Sequence, residues 1–368
     1  MSGSVGREGV QDERPDIEAA PGTAGGRNRR GNGLGWGQGR RRGGKRGGGA
    51  ERSMVPDPTF TSYYGRAIVK PSPWENDIPA YLFAGGLAAG SSLIAAGAGL
   101  TGRPTLRRSG RLGAIGALSF SMVALVHDLG KPSRFLNMLR VAKLTSPMSV
   151  GTWILSLYGP FAGAVAATEV VSMLPPRYRV GPLRLAPYVD RPAGLLAALF
   201  APPVAAYTAV LLADTATPSW HSAYKELPFV FVGSAAAASA GLGLVTSPVR
   251  ETGPVRRMAL GGAALELFME HRMEQTMGVT AEPLHQGTAG RLMRAAKVLT
   301  IAGAAGSVLA GRSRTAAVLS GAALLAGSAC TRFGVFEAGQ ESAKDPKYTV
   351  VPQRERVERG EAVRFEGS

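Results

Sequence analysis

The chain is poor in the residues that hold metal centres. Its 368 residues include a single cysteine, Cys330, and four histidines. One thiol cannot form an internal disulfide, and it cannot hold an iron–sulfur cluster or a structural zinc ion, each of which needs several ligands. The sequence therefore predicts that this chain binds no iron–sulfur cluster and no metal ion of its own.

Acidic residues are also scarce. The chain has 26 of them against 42 lysines and arginines, which gives a formal net charge of +16. Such an excess can indicate a nucleic-acid-binding protein. Here, however, the basic residues lie in the first tail and between long apolar runs, where membrane proteins carry their lysines and arginines. We therefore expect a membrane protein with no nucleic-acid partner.

Composition divides the chain into four segments. Residues 1–53 are rich in glycine and arginine and almost free of large apolar side chains, so we expect a disordered basic tail. Residues 54–77 combine prolines with aromatic residues and are expected to lie along the membrane surface. Residues 78–336 are strongly apolar, and residues 337–368 form a polar C-terminal tail.

The apolar segment is long enough for eight helices of about 20 residues, the length that crosses a hydrocarbon core of about 30 Å. We therefore predict an all-α integral membrane protein, multi-pass in the cell membrane, with about eight transmembrane helices. None of the four histidines lies convincingly at the centre of a span, so a haem held by two histidines is not expected. The predicted spans are 78–100, 109–129, 150–173, 192–213, 226–246, 254–276, 292–310 and 315–336.

Ionisable side chains within or at the ends of these spans are candidates for function, because they are costly in lipid. His127 and Asp128 close the second span, and an aspartate beside a histidine can relay protons near neutral pH. Alternatively, the two residues form a salt-bridged helix end that anchors the following turn. The other candidates are Glu75, Asp77, Glu169, Asp214, Glu266, Glu270, His271 and Glu274.

Each of three further side chains in the predicted spans has two possible roles, one functional and one structural. Tyr81 lies one turn into the first span and Tyr207 in the middle of the fourth. A buried tyrosine hydroxyl needs a partner, and either a quinone carbonyl or a backbone carbonyl of a neighbouring helix meets that need. Glu266 falls near the middle of the sixth span, where it indicates a proton path, unless that span ends near Leu267 and the following charges form a helix extension.

Three stretches of the sequence resemble the NrfD/polysulfide reductase membrane-subunit family. They are SYYGRAIVKPSPWENDIPAYLFAGGLAAGS at the first span, HDLGKPSRFLNMLRVAKLTSPMSVGTW between the second and third spans, and YTAVLLADTATPSWH at the end of the fourth span. The resemblance covers about residues 60–345. It implies eight helices arranged in two four-helix bundles, with no haem and no iron–sulfur cluster in the chain itself.

In function, the resemblance implies a quinone-reactive membrane anchor. Such a subunit exchanges electrons between menaquinone, an exchangeable substrate, and a partner iron–sulfur subunit that is connected to a molybdopterin catalytic subunit. The paired asparagine and histidine of polysulfide reductases are absent from the first span, so polysulfide as a substrate is not implied. The positions that correspond to the quinone pocket are Asp77, Tyr81, His127, Asp128 and Tyr207, with His127 and Asp128 as the proton-relaying pair, and Arg134 is expected to join the quinone-binding residues.

Two other functions are compatible with the same residues. A proton-coupled secondary transporter would use the same intramembrane acids, although transporters often show inverted repeats with helices broken at the midplane, and no such repeat is visible here. A structural membrane anchor that binds no quinone is the other alternative, because tyrosines and histidines at helix ends have ordinary structural roles.

A docking face for the partner is expected on one side of the bundle. Residues 54–77, 130–149 and 214–226 share that side, since each segment precedes an odd-numbered span. Arginine and tryptophan often carry the binding energy of an interface. The expected anchors of the partner are therefore Trp74, Arg134 and Trp220.

The orientation of the chain in the membrane stays open. Arginines are concentrated in the loops that follow odd-numbered spans, which favours a cytoplasmic location for those loops. The very basic tail of residues 1–53 would lie on the opposite side and favours the reverse orientation.

The purified chain is expected to show no haem Soret band and no stoichiometric iron. The reason is the single cysteine and the lack of paired histidines inside the predicted spans. Absorbance spectroscopy and metal analysis of the purified protein test this expectation, and one haem or one iron–sulfur cluster per chain would contradict it.

Overall fold

A computed structural model describes residues 67–131, 133 and 137–360. Within these residues the chain is helical and contains no β-strand, which confirms the all-α prediction. Eight long helices are present in the described part. In chain order they are α1 (Asp77–Leu100), α2 (Pro104–Asp128), α3 (Pro147–Met173), α4 (Ala186–Ala213), α6 (Leu227–Thr246), α7 (Gly253–Met277), α8 (Gly287–Leu309) and α9 (Arg314–Lys344); a short α5 (Pro218–Ser222) and α10 (Lys347–Glu358) complete the set.

Each predicted span corresponds to one of the eight long helices. Seven of them are long and apolar enough to cross a membrane, and the exception is α7. This helix contains Glu266, Glu270 and Glu274, in addition to two arginines in its first turns. It runs without interruption to Met277, so the charged residues after Leu267 continue the same helix. The chain is a multi-pass membrane protein.

The helices form two four-helix bundles, as predicted. Helices α1–α4 pack together in the first bundle and α6–α9 in the second, and α1 contacts α6 between them. Small residues allow the close approach of helix backbones, as is usual in membranes. A Cβ atom on Gly262 of α7 would lie 2.8 Å from the backbone nitrogen of Ala237 in α6, and a Cβ atom on Gly90 would collide with Ser239.

The segment that precedes α1 is attached to the second bundle. Gln340 of α9 donates from Nε2 to the carbonyl oxygens of Ser72 and Trp74, at 3.2 and 3.0 Å. The Trp74 ring stacks on Trp220 with 5.9 Å between ring centroids, and Trp220 donates from Nε1 to the carbonyl of Val335 at 2.8 Å. Trp220 is 1% exposed. The prediction that Trp220 anchors a partner is therefore wrong, because its ring is a core contact between α5 and α9.

Some sequence-based expectations fall on residues outside the described part of the chain. These are the disordered tail of residues 1–53, most of the interfacial segment, and Arg134. The sequence also predicts a short amphipathic helix between α2 and α3, where apolar and basic residues alternate, and this segment lies partly outside the described residues because 132 and 134–136 are not described.

The C-terminal region contains more helix than its polar composition indicates. Helix α9 continues beyond residue 336 to Lys344, and α10 follows it. Lys347 lies 2.5 Å from Glu282 in the connection between α7 and α8, and the Tyr348 hydroxyl donates to the same carboxylate at 3.3 Å. The hydrogen bond from Lys347 holds the pKa of Glu282 below its usual value. This contact attaches α10 to the second bundle.

A buried acid and a buried base lie inside the second bundle. Glu266 is 1% exposed and accepts a hydrogen bond from the Thr331 hydroxyl at 2.7 Å. Arg332, also 1% exposed, lies over the Phe231 ring at 3.7 Å and donates from Nη2 to the Phe231 carbonyl at 2.7 Å. Its Nε and Nη1 have no hydrogen-bond partner among the described residues. Arg332 interacts electrostatically with Glu266, but the two side chains are farther apart than the 4.0 Å of an ion pair, and Glu266 Oε2 also has no hydrogen-bond partner among the described residues.

Candidate functional site

The first bundle encloses an apolar cavity of about 290 Å³. It lies at the end of the bundle where α1 and α3 begin and where α2 and α4 end. Its volume is close to the lower end of the range of about 300–1,000 Å³ that is typical of small-molecule sites. The lining residues come from all four helices and from the segment before α1; they include Trp74, Ile78, Tyr81, Leu118, Met122, Leu125, Asp128, Met138, Met148, Thr152, Leu155, Ser156, Tyr207 and Leu211.

Two tyrosine hydroxyls meet at the wall of this cavity. Tyr81 of α1 and Tyr207 of α4 are 3% and 8% exposed, and their hydroxyl groups are hydrogen-bonded to each other. A pair of hydroxyls has two O–H donors, and the mutual bond uses one of them. The second donor stays available to a ligand oxygen. The ring of Tyr207 lies against Gly151 of α3, where any Cβ atom would collide with it.

Asp128 supplies the charged group of the cavity. It is the last residue of α2, its side chain is partly buried, and it lines the cavity together with Met138 and Trp74. The remaining polar groups belong to α3. The hydroxyls of Thr152 and Ser156 donate to carbonyl oxygens of their own helix, each at 2.8 Å, so that towards a ligand they can only accept hydrogen bonds.

His127 and Asp77 form an ion pair outside the cavity. His127 Nδ1 lies 2.7 Å from Asp77 Oδ2, which connects the end of α2 to the start of α1. The His127 side chain is 78% exposed and that of Asp77 is 36% exposed. Neither residue lines the cavity. The pair is therefore in contact with surrounding water, and His127 is the sequence neighbour of the cavity-lining Asp128.

The structure brings together part of the predicted site. Tyr81, Tyr207 and Asp128 line one cavity, and His127 and Asp77 pair at its outer side. Sequence reasoning did not assign Trp74, Thr152 or Ser156 to the cavity. Trp74 and Thr152 lie within the two longest family-like stretches, which was an available signal, whereas nothing in the sequence distinguishes Ser156 from other small polar residues in spans.

Glu169, another acid predicted within a span, forms ion pairs with three arginines. It is fully buried near the end of α3 and lies 2.9 Å from Arg111, 3.2 Å from Arg108 and 3.3 Å from Arg107. These contacts are at the opposite end of the bundle from the cavity. Glu169 thus connects α3 to α2 and takes no part in the candidate site.

The cavity suits a flat, largely apolar ligand that carries oxygen atoms at its edges. Its wall is made of aliphatic, methionine and aromatic side chains, with a hydroxyl donor on one side and a carboxyl group on another. The molecule is therefore a multi-pass membrane protein whose first four-helix bundle builds a cavity of small-molecule size.

A family model described as "Polysulphide reductase, NrfD" matches residues 67–255, which include the whole first bundle and α6. The chain belongs to the NrfD family, whose members are membrane subunits of polysulfide reductase-type oxidoreductase complexes. A search of curated proteins finds no match to this chain.

Proposed function

We propose that this subunit exchanges electrons between menaquinone, bound in the cavity of the first bundle, and a partner iron–sulfur subunit. The partner would in turn be connected to a molybdopterin catalytic subunit, and the complex would lie in the cell membrane. The observation that carries the proposal is the cavity itself, which combines an apolar wall with the Tyr81–Tyr207 hydroxyl pair and Asp128.

The lining residues fit a quinone ring. A naphthoquinone ring is planar and apolar apart from two carbonyl oxygens, and each carbonyl needs a hydrogen-bond donor once it leaves water. The free hydroxyl donor of the tyrosine pair would serve one carbonyl. A protonated Asp128 would serve the other, and the methionines Met122 and Met148 can adapt to the ring edge.

Quinone reduction consumes two electrons and two protons. Residues of this chain would transfer the two protons to the quinone, and the partner subunit would transfer the two electrons. Asp128 is the cavity residue that can hold a proton for a carbonyl oxygen, and the exposed His127–Asp77 pair can renew that proton from water. In the oxidative direction the same groups accept the two protons that a quinol releases.

The alternative of a proton-coupled transporter has less support. Transporters place their substrate where helices are broken near the midplane of the membrane. The eight long helices described here are each continuous. The acids of the second bundle have local partners on part of each carboxyl group: Glu266 Oε1 accepts from Thr331 and Glu270 lies 3.6 Å from Lys297, whereas Glu266 Oε2 and Glu270 Oε1 have no hydrogen-bond partner among the described residues.

Tyr207→Phe is expected to weaken menaquinone binding by about 0.5–1.5 kcal/mol, the contribution of one neutral hydrogen bond. The phenylalanine keeps the ring against Gly151 but removes one of the two hydroxyls that meet at the cavity. The measurement is equilibrium binding of a soluble menaquinone analogue to the purified subunit, which requires neither partner.

Tyr158→Phe is the matched control. Tyr158 is fully buried in the same bundle, but its hydroxyl is bonded to Ser92 and to the carbonyl of Ala88, and it does not line the cavity. This variant should bind the analogue as the wild type does. Equal affinity in the wild type, Tyr207→Phe and Tyr81→Phe would show that the quinone site lies elsewhere, and no binding to any of them would favour a structural anchor.

A further inference from the structure

A second solvent-accessible region of the first bundle lies at the end opposite the candidate site. Two cavities of about 760 and 340 Å³ lie side by side where α2 begins and α3 connects to α4. They share Arg107, Arg111, Asp190 and Arg191 in their walls and so form one cleft, called here the arginine cleft. The larger part is also lined by Arg179 and Arg184.

The carboxylates near the arginine cleft are already paired. Glu169 lies within 3.3 Å of three arginines at the start of α2. Asp190 accepts two hydrogen bonds from Arg111, at 2.5 and 3.0 Å, and a third from the Thr168 hydroxyl at 2.8 Å. Neither carboxylate is free to neutralise a further cation.

Several arginines of the cleft have no acidic partner. Arg179 is held in place by the carbonyl oxygens of Ser172 and Leu174, at 2.7–3.0 Å. Arg184 and Arg191 have no carboxylate within salt-bridge distance in the described part of the chain. The cleft thus gathers five arginines around two carboxylates that are already occupied, and such an excess of like charge at close range favours an anion.

One buried atom in the wall also lacks a partner. Arg111 is 7% exposed and lines both parts of the cleft. Its two terminal nitrogens contact Glu169 and Asp190, but its Nε has no hydrogen-bond partner among the described residues. A buried donor of this kind is normally satisfied by a partner group, and here it adjoins the cleft.

The surroundings of the cleft are those of a membrane interface. The connection from α3 to α4 exposes apolar and aromatic side chains between its arginines, namely Tyr178, Val180, Leu185 and Tyr188, each more than half exposed. Aromatic rings and arginines together are typical of the zone where lipid headgroups meet hydrocarbon. The smaller part of the cleft continues between α1 and α4, where Ala96, Gly99, Leu100, Gly194 and Leu195 leave an apolar groove.

We propose that the arginine cleft binds the phosphate headgroup of an anionic phospholipid, with one acyl chain in the groove between α1 and α4. The phosphate lies among Arg179, Arg184 and Arg191, and its negative charge offsets their mutual repulsion. Basic pockets between transmembrane helices are known to select anionic headgroups in this way. The proposal does not depend on the quinone cavity, which lies at the other end of the bundle.

The test compares lipids with identical acyl chains on the purified subunit in detergent. Phosphatidylglycerol and phosphatidylcholine are titrated separately, and bound lipid is counted by native mass spectrometry while the unfolding temperature is followed in parallel. We expect phosphatidylglycerol to stay bound and to raise the unfolding temperature, whereas phosphatidylcholine does neither. Inorganic phosphate, the third arm, is expected to bind far more weakly because it has no chain for the groove.

Two double variants distinguish a specific lipid-binding site from a general effect of positive charge on the protein. In R184Q/R191Q the affinity for phosphatidylglycerol is expected to fall about 10- to 30-fold, given the usual contribution of each arginine at an anionic surface. R257Q/R312Q removes two exposed arginines at the same end of the protein, one in the first turns of α7 and one in the connection between α8 and α9, and should change the affinity less than 2-fold. R184K/R191K should retain most of the affinity.

Three results would overturn the proposal. The first is equal retention of phosphatidylcholine and phosphatidylglycerol. The second is an equal loss of affinity in R184Q/R191Q and R257Q/R312Q. The third is stabilisation by inorganic phosphate at the level of the lipid, which would make the cleft a site for a free anion and not for a phospholipid.

Discussion

Replacing Asp128 with asparagine is expected to slow quinone turnover by the assembled complex about 10²- to 10⁴-fold, the usual contribution of a positioned acid–base group. Asp128 is the titratable group that lines the cavity, and an amide cannot release or take up the proton that a carbonyl oxygen needs. The asparagine side chain has nearly the same shape, so the end of α2 should keep its structure. The measurement is quinone reduction or quinol oxidation by the complex, with assembly verified separately.

His127→Ala is the informative comparison for Asp128→Asn. The His127 ring is 78% exposed and lies outside the cavity, so water can replace part of its role. We therefore expect a smaller loss of turnover than for Asp128→Asn, and a loss that exogenous imidazole partly restores. If Asp128→Asn assembles normally and turns over at the wild-type rate, the proton route does not pass through this end of the first bundle, and Glu266 becomes the next candidate.

Replacing Arg332 with leucine is expected to lower the free energy of unfolding by about 1–3 kcal/mol, the usual cost of leaving buried hydrogen-bonding groups without a partner. The guanidinium lies inside the second bundle, over the Phe231 ring, and donates to the Phe231 carbonyl. Leucine leaves that carbonyl without its donor and also removes the positive charge that interacts with Glu266. The unfolding temperature and the denaturant midpoint of the purified subunit are the measurements.

Two further variants identify the cause of the loss. The double variant E266Q/R332L removes both charges and should recover the part of the loss that is due to the charge of Glu266, because a neutral amide can still accept the hydrogen bond from Thr331. Arg272→Leu makes the same substitution on the exposed surface of α7 and should change the stability by less than about 0.5 kcal/mol. A double variant as unstable as Arg332→Leu alone would show that packing, and not charge compensation, holds this region together.

The helices could be predicted from the sequence because their signal is local. A stretch of about 20 apolar residues identifies a span by itself, and every predicted span corresponds to an observed helix. Helix α7 shows the limit of this signal, because its charged residues make its composition too polar to identify it as a membrane span. Those charges are tolerated where the fold supplies partners, such as Thr331 for Glu266, and composition alone does not reveal such partners.

The candidate site was predicted in outline and not in its geometry. Tyr81 and Tyr207 are 126 residues apart, and only the folded bundle shows that their hydroxyls meet. His127 and Asp128 are adjacent in sequence, but one side chain faces water and the other lines the cavity, since neighbours on a helix point in different directions. The wrong prediction for Trp220 has a similar cause. A tryptophan can serve equally well at a protein interface or in a buried aromatic stack, and the sequence does not distinguish the two.

Arg332 was missed for a different reason. It lies in an otherwise apolar run, and a single charged residue does not cancel the signal of a span. The acid that interacts with it electrostatically, Glu266, is on another helix and is separated from it by two loops. Pairing between helices of this kind depends on rotation and depth, which a single sequence does not specify.

One wall of the cavity in the first bundle is made by Trp74, whose position depends on the second bundle. Trp74 lines the cavity, but its backbone carbonyl is held by Gln340 and its ring stacks on Trp220, which is in turn bonded to Val335. Residues 335–340 lie well beyond the region matched by the family, which ends at residue 255. The cavity is consequently a property of both bundles. A fragment cut after α6 would keep every helix that surrounds the cavity and still lose the support of Trp74, so we expect ligand binding in the cavity to depend on folding of the C-terminal half.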